Sequence, residues 1–200
     1  MKLSHLAETL IGSEIVKLGG EIREKIRQGE RIYNFTVGDF DPSIFPIPKE
    51  LENDIVEAYR NHFTNYPAAE GNLDLREAIC SKLKRDSNLD YTPDQIIVST
   101  GAKQSIYNTV MSIVDKGDEV IIPTPFWVTY SEIVRMAGGE VKIVHTSIDN
   151  GYKITPAQLE AAITGKTRLF MFSSPCNPSG AVYSKEELTA LAAVFQKHPQ

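Results

Sequence analysis

The apolar positions of this chain change rhythm part way along. Up to residue 88 they recur mainly at helical spacing. Ile15, Leu18, Ile22 and Ile26 fall on one face of a segment spanning 13–28, and Gly29 is placed to end it. A second helix is predicted over 49–60, after Pro46 and Pro48. A third carries Leu75, Ala78, Ile79 and Leu83 and ends before Asn88. Between the first two, 32–37 alternates as a short strand, and Gly38-Asp39-Phe40-Asp41-Pro42 turns the chain.

Beyond Thr92, short apolar runs alternate with helical patterns. Strands are predicted at 95–99, 119–122, 141–145 and 168–172. Helices are predicted over 102–114, 126–137 and 156–163, and from the Ser184/Glu187 capping box nearly to the end. The strands are continuously apolar rather than alternating, which argues a mostly parallel sheet covered by helices on both faces. The predicted class is therefore α/β, with three layers. In such sheets ligands gather at the carboxyl ends of the strands, so the loops after Val98, Ile122, His145 and Phe172 are the ones to inspect.

The first of these loops organises the rest. Ile96-Ile97-Val98 stops at Ser99, and after Gly101 a helix begins with Ala102-Lys103-Gln104-Ser105. A helix start leaves backbone N–H groups free beside the positive end of the dipole, an arrangement suited to phosphate. Ser99, Thr100 and Ser105 add hydroxyls, and Lys103 adds charge. An ordinary strand–helix turn with nothing bound fits the same residues. The loop after Ile122 holds Trp127, the single tryptophan, and the loop after Phe172 holds Ser173-Ser174-Pro175-Cys176-Asn177-Pro178-Ser179-Gly180. Taken together, a phosphate turn, a flat aromatic face and a fixed amide point to a phosphorylated aromatic ring. Taken singly, a residue such as Trp127 is more often a packing residue, and a pair such as Asn177-Pro178 more often just a turn.

Composition narrows the field. The net charge is −5 with no basic stripe, so neither nucleic acid nor an anionic membrane is an expected partner. The N-terminal residues have no signal-peptide pattern, and no apolar run is long enough to span a membrane, so a cytoplasmic location is expected. Cys80 and Cys176 are read as free thiols, and the four histidines show no metal pairing. Neither a dinucleotide G-x-G-x-x-G nor a phosphate-loop lysine motif is present, which disfavours a nucleotide-binding domain.

Five stretches then identify a family. In order, they are NYPAAEGNLDLREAI, STGAKQSIYNTV, DKGDEVIIPTPFWVTY, MAGGEVKIV and SSPCNPSGAVYSKEEL. Together they resemble the class I/II aminotransferases, pyridoxal 5′-phosphate enzymes with the aspartate aminotransferase fold. The resemblance implies that 1–47 is an N-terminal arm belonging to the small domain and that 48–200 is an incomplete cofactor-binding large domain. It implies that Gly101, Ala102 and Lys103 hold the cofactor phosphate, that Trp127 stacks on the pyridine ring, and that Asn177 hydrogen-bonds its phenolic oxygen. Tyr66 would reach the phosphate in a neighbouring subunit of a homodimer. Gly38, Trp127, Asn177 and Lys103 would face substrate, Lys103 meeting the far carboxylate of an acidic amino acid. The prolines matching Pro125 and Pro178 are expected to be cis.

The implied activity is transfer of an amino group between an aspartate-like amino acid and a 2-oxo acid. The family's Schiff-base lysine is expected beyond Gln200. None of the lysines present is assigned that role, so no catalytic residue is named within this chain, and the chain alone is expected to be inactive. A C–S lyase or synthase of the same fold, and a non-catalytic ligand-sensing domain, are the alternatives.

Overall fold

The computed structural model describes residues 3–8, 14–36 and 38–199, without the side chains of His5 and Leu6. Packing divides the chain into two units, 1–69 and 70–200.

In the first unit, the described elements are α1 (His5–Glu8), α2 (Glu14–Arg27) and α3 (Lys49–Arg60). Helices α2 and α3 lie where the apolar spacing places them. Neither buries an apolar side chain: the sole buried residue of α2 is Gly19, and α3 has none. The strand expected over 32–37 does not form among the described residues, where 31–35 run without regular structure. Val37 lies outside them.

The second unit contains α4 (Leu73–Ser87), α5 (Ala102–Ile113), β1 (Glu119–Pro123), α6 (Thr129–Met136), β2 (Glu140–Val144), α7 (Pro156–Ala162), β3 (Thr167–Phe170) and α8 (Lys185–Phe195). The sheet has the order β2-β1-β3, parallel throughout. Val120 to Pro123 of the central strand are all buried. Successive side chains on a strand point to opposite faces. Val120 and Ile122 accordingly join one core with Val110 and Val114 of the α5 segment and Tyr130, Ile133 and Val134 of α6. Ile121 joins the other, with Ile154, Leu159, Tyr183, Leu191 and Val194. The sheet thus lies between two helical layers, giving the three-layer α/β architecture expected. Each fully buried aliphatic side chain here contributes roughly 1.5–3 kcal/mol by leaving water.

Helix ends follow the residues at them. Ser184 and Glu187 make the reciprocal capping box at the start of α8, with N–H···O distances of 2.7 and 3.2 Å. Thr155 and Gln158 do the same for α7.

Two further expectations are corrected. The helix placed over 126–137 begins only at Thr129, because Pro125 and the residues after it first form a loop. The strand placed over 95–99 is absent. Pro93–Gln95 is a single 3-10 turn closed by a Thr92/Gln95 capping box, so the regular strands number three among the described residues, not four. Ile96 has extended dihedrals, but it and its successors have no ladder partner among the described residues. A strand needs a neighbour as well as β-branched residues. What holds this segment is a few single bonds to residues 70–76. The Val98 N–H donates to the Glu70 carbonyl at 2.9 Å, and Arg76 donates to the carbonyls of Pro93 at 2.7 Å and Gly71 at 3.1 Å. Gly71 has φ +101°, and a Cβ there would stand 2.7 Å from the Val98 side chain, so only glycine permits this close approach.

Candidate active site

The turn into α5 is built by Gly101. Its φ of +91° lies in the region that favours glycine, and its carbonyl accepts the Gln104 N–H at 3.1 Å, so the helix starts abruptly. Gln104 folds back over the turn, where its Oε1 accepts both the N–H and the hydroxyl of Thr100, each at 2.6 Å. Among the described residues, the N–H groups of Ala102 and Lys103 have no acceptor, and the first turn of α5 carries no carboxylate. An N-terminal helix end with open donors and no acidic neighbour favours an anion electrostatically.

Lys103 and Trp127 come together, with the Lys103 ammonium over the indole at 5.4 Å from its centroid. Trp127 is half-buried. It meets Tyr130 edge to face, with centroids 5.6 Å apart, and packs against the core on the α5/α6 side. Asn177 is exposed. Its N–H donates to the Ser173 hydroxyl at 3.3 Å, and its carboxamide has no hydrogen-bond partner among the described residues. The loops carrying Trp127 and Asn177 are joined directly, because the Cys176 thiol donates to the Pro125 carbonyl at 3.3 Å. A small cavity between them is lined by Pro125, Phe126, Tyr130, Phe172 and Cys176, among others. The peptide bonds preceding Pro125 and Pro178 are cis, as expected, and so is the one preceding Pro175.

The second unit therefore gathers Gly101, Ala102, Lys103 and Trp127 around one turn, with Asn177 on a loop bonded to that of Trp127. Gly38 and Tyr66 belong to the first unit, and both are exposed. His145, at a strand end, is exposed as well, and its carbonyl accepts the Gln158 amide at 3.1 Å. Among the described residues no cluster of His, Cys, Asp and Glu is arranged to hold a metal, and no helix is long and apolar enough to cross a membrane. Three contributions escape a reading of the sequence. These are the return of Gln104 onto Thr100, the Cys176–Pro125 bond, and a bond from Thr146 to Thr124. Adjacency of Cys176 to Asn177 is the one available signal for the second; the first joins residues four apart at a helix start, and the third depends on tertiary placement.

The donor set suits a phosphorylated ring: open amides and an ammonium for the phosphate, an indole for the ring and a free carboxamide for a ring substituent. Comparison with known proteins gives the same class. The family model described as "Aminotransferase class I and II" matches residues 30–199. The aspartate/prephenate aminotransferase of Nitrosomonas europaea is 43% identical over 199 residues, covering 100% of this chain and 49% of its own length. The aspartate aminotransferase of Bacillus subtilis is 38% identical, covering 99% and 50%. Among solved structures, the Thermus thermophilus aspartate aminotransferase with maleate superposes with a TM-score of 0.91 at 37% identity, covering 99% of this chain and 51% of that one. That of Rhizobium meliloti gives 0.90 at 36%, covering 100% and 49%. The chain belongs to the class I and II aminotransferases, whose cofactor is pyridoxal 5′-phosphate. It spans about half the length of the curated relatives it matches.

Proposed function

We propose that these residues form the front part of an aminotransferase that moves an amino group between an aspartate-like amino acid and a 2-oxo acid. The observation that carries the reading is the open N-terminus of α5, with the Lys103 ammonium over the face of Trp127. The aspartate and aspartate/prephenate activities named for the relatives support an acidic substrate, and one of the similar structures holds maleate, a dicarboxylate.

In this reading the amides of Ala102 and Lys103, beyond the Gly101 turn, bind the cofactor phosphate. Trp127 orients the ring by stacking, and Asn177 donates a carboxamide N–H to the phenolic oxygen. The cofactor, when bound, supplies an electron sink for the carbanion formed at the substrate Cα. Lys103 serves twice, adding positive charge at the phosphate turn and meeting the far carboxylate of an acidic substrate, which would orient that substrate before proton transfer. Gly38 lies beside the substrate carboxylate, and Tyr66 reaches the phosphate in the other subunit of a homodimer. No lysine of this chain is assigned the covalent anchoring role. The domain division is that expected above, with 1–47 serving the small domain and 48–200 the large one, and the protein is cytoplasmic.

Mixing the full protein with aspartate should convert the cofactor's visible absorbance to that of its amine form, and a 2-oxo acid should reverse the change. Absence of the change with every amino acid tried would refute the proposal. Release of pyruvate, ammonia or a thiol instead would favour the lyase alternative. Two relatives named aspartate/prephenate aminotransferase, at 43% and 39% identity, make prephenate a specific acceptor to include in that assay. Trp127→Ala should weaken cofactor binding by about 1 kcal/mol or more while the fold persists, measured by cofactor titration and circular dichroism.

A further inference from the structure

We propose that Thr146 and Cys176 are positioning residues that hold the loop carrying Trp127, so that the indole face offered to the cofactor depends on both. This rests on the reading of Trp127 as the ring-stacking residue. Strand β1 ends at Pro123 and α6 begins at Thr129, so residues 124–128 lie in no regular element. Backbone pairing with β2 reaches one residue further, where the Thr124 N–H donates to the Val144 carbonyl at 2.9 Å. Side chains then take over.

Thr146, two residues past the end of β2, donates its hydroxyl to the Thr124 carbonyl, and its own N–H donates to the Thr124 hydroxyl at 3.2 Å. The backbone N–H, carbonyl and side-chain oxygen of Thr124 are thus all held from the 144–146 side. The next carbonyl, that of Pro125, is held from the opposite side of β1 by the Cys176 thiol at 3.3 Å. Two consecutive carbonyls, just ahead of Phe126-Trp127, are therefore gripped by the connections that follow the two flanking strands. The hydroxyl is the stronger donor and the thiol the weaker. The thiol, however, sits next to Asn177, and so links the loop that bears the carboxamide to the loop that bears the indole. Thr124, Thr146 and Cys176 are all half-buried, where a hydrogen bond is less easily exchanged for one to water.

Trp127 is the single tryptophan of these 200 residues, so with any tryptophan elsewhere in the full protein replaced by phenylalanine its emission reports on this loop directly. The experiment compares acrylamide quenching and anisotropy of Trp127 in that full protein and in its T146V, T146S and C176A variants. Each is measured with and without pyridoxamine 5′-phosphate, whose amine cannot condense with surface lysines. T146V and C176A should each raise the quenching constant about twofold and lower the anisotropy, with unchanged far-ultraviolet circular dichroism. T146S, which keeps the hydroxyl, should match wild type. Pyridoxamine phosphate should quench wild-type Trp127 at lower concentration than it quenches the two clasp variants.

C176A removes only a half-buried thiol, so it keeps the test decisive even if T146V fails to fold. Unchanged quenching and anisotropy in a folded T146V or C176A would overturn the proposal, as would a T146S variant that behaves like T146V. If instead the variants loosen Trp127 but pyridoxamine phosphate leaves wild-type emission untouched, the clasp is supported and the ring-stacking reading of Trp127 fails.

Discussion

Two stretches of nearly the same composition meet opposite fates. Val120-Ile121-Ile122 is fully buried at the centre of the sheet, whereas Ile96-Ile97-Val98 forms no strand and has no ladder partner among the described residues, with Ile97 73% exposed. Both are short, β-branched and preceded by polar residues. What separates them is neighbours. The first lies between β2 and β3 and under helices on both faces, while the second has the carbonyl of Glu70 and the reach of Arg76. Side-chain type specifies a strand only where another backbone is available to pair with it.

This contrast can be broken in graded ways. Ile121→Ala should cost the most, about 2–5 kcal/mol in urea denaturation, because it opens a cavity among Leu159, Leu191 and Val194. Arg76→Ala should cost about 1.5–3 kcal/mol, since the charged donor to the Pro93 and Gly71 carbonyls is lost. It should also speed hydrogen exchange at the Val98 amide while leaving that of Ile121 unchanged. Ile97→Ala should fall within about 0.5 kcal/mol of wild type, as expected at an exposed position. A cost comparable to that of Ile121→Ala would show that the 96–98 segment is packed after all.

The smallest effect concerns acid. The Lys153 ammonium, and next the Ser184 N–H, hold the Glu187 carboxyl below its ordinary value of 4.5, at the start of the helix that covers Ile121. A carboxylate with a lowered folded pKa contributes stability that is complete above 4.5 and is lost as the pH falls through the lowered value. Melting temperatures of wild type and Glu187→Gln should therefore converge as the pH falls from about 5 to about 3. A constant difference across that range would exclude the Glu187 carboxylate as the source.

The same contrast explains what could be read from the chain alone. β1, β2 and β3 were legible because their apolar runs are bounded by turn residues and do pair. The Ser184/Glu187 cap was legible because it is local, and so was the abrupt start of α5 after Gly101. The missing strand over 95–99 and the late start of α6 were not, because each turns on tertiary placement. Trp127 and Asn177 were singled out by residue type and by family resemblance, and periodicity is silent on both. The Thr146 and Cys176 bonds join residues 22 and 51 positions apart, so no local pattern announces them.

The alternation along β1 has a consequence for how this chain tolerates changes of length. Deleting one residue within 119–123 would turn every later side chain of the strand toward the wrong helical layer, setting Ile122 where Ile121 belongs. The same half-turn would carry the indole away from the edge it now occupies. Insertions and deletions compatible with folding are thus confined to surface connections such as the 3-10 turn Ile148–Asn150, where no such parity is at stake.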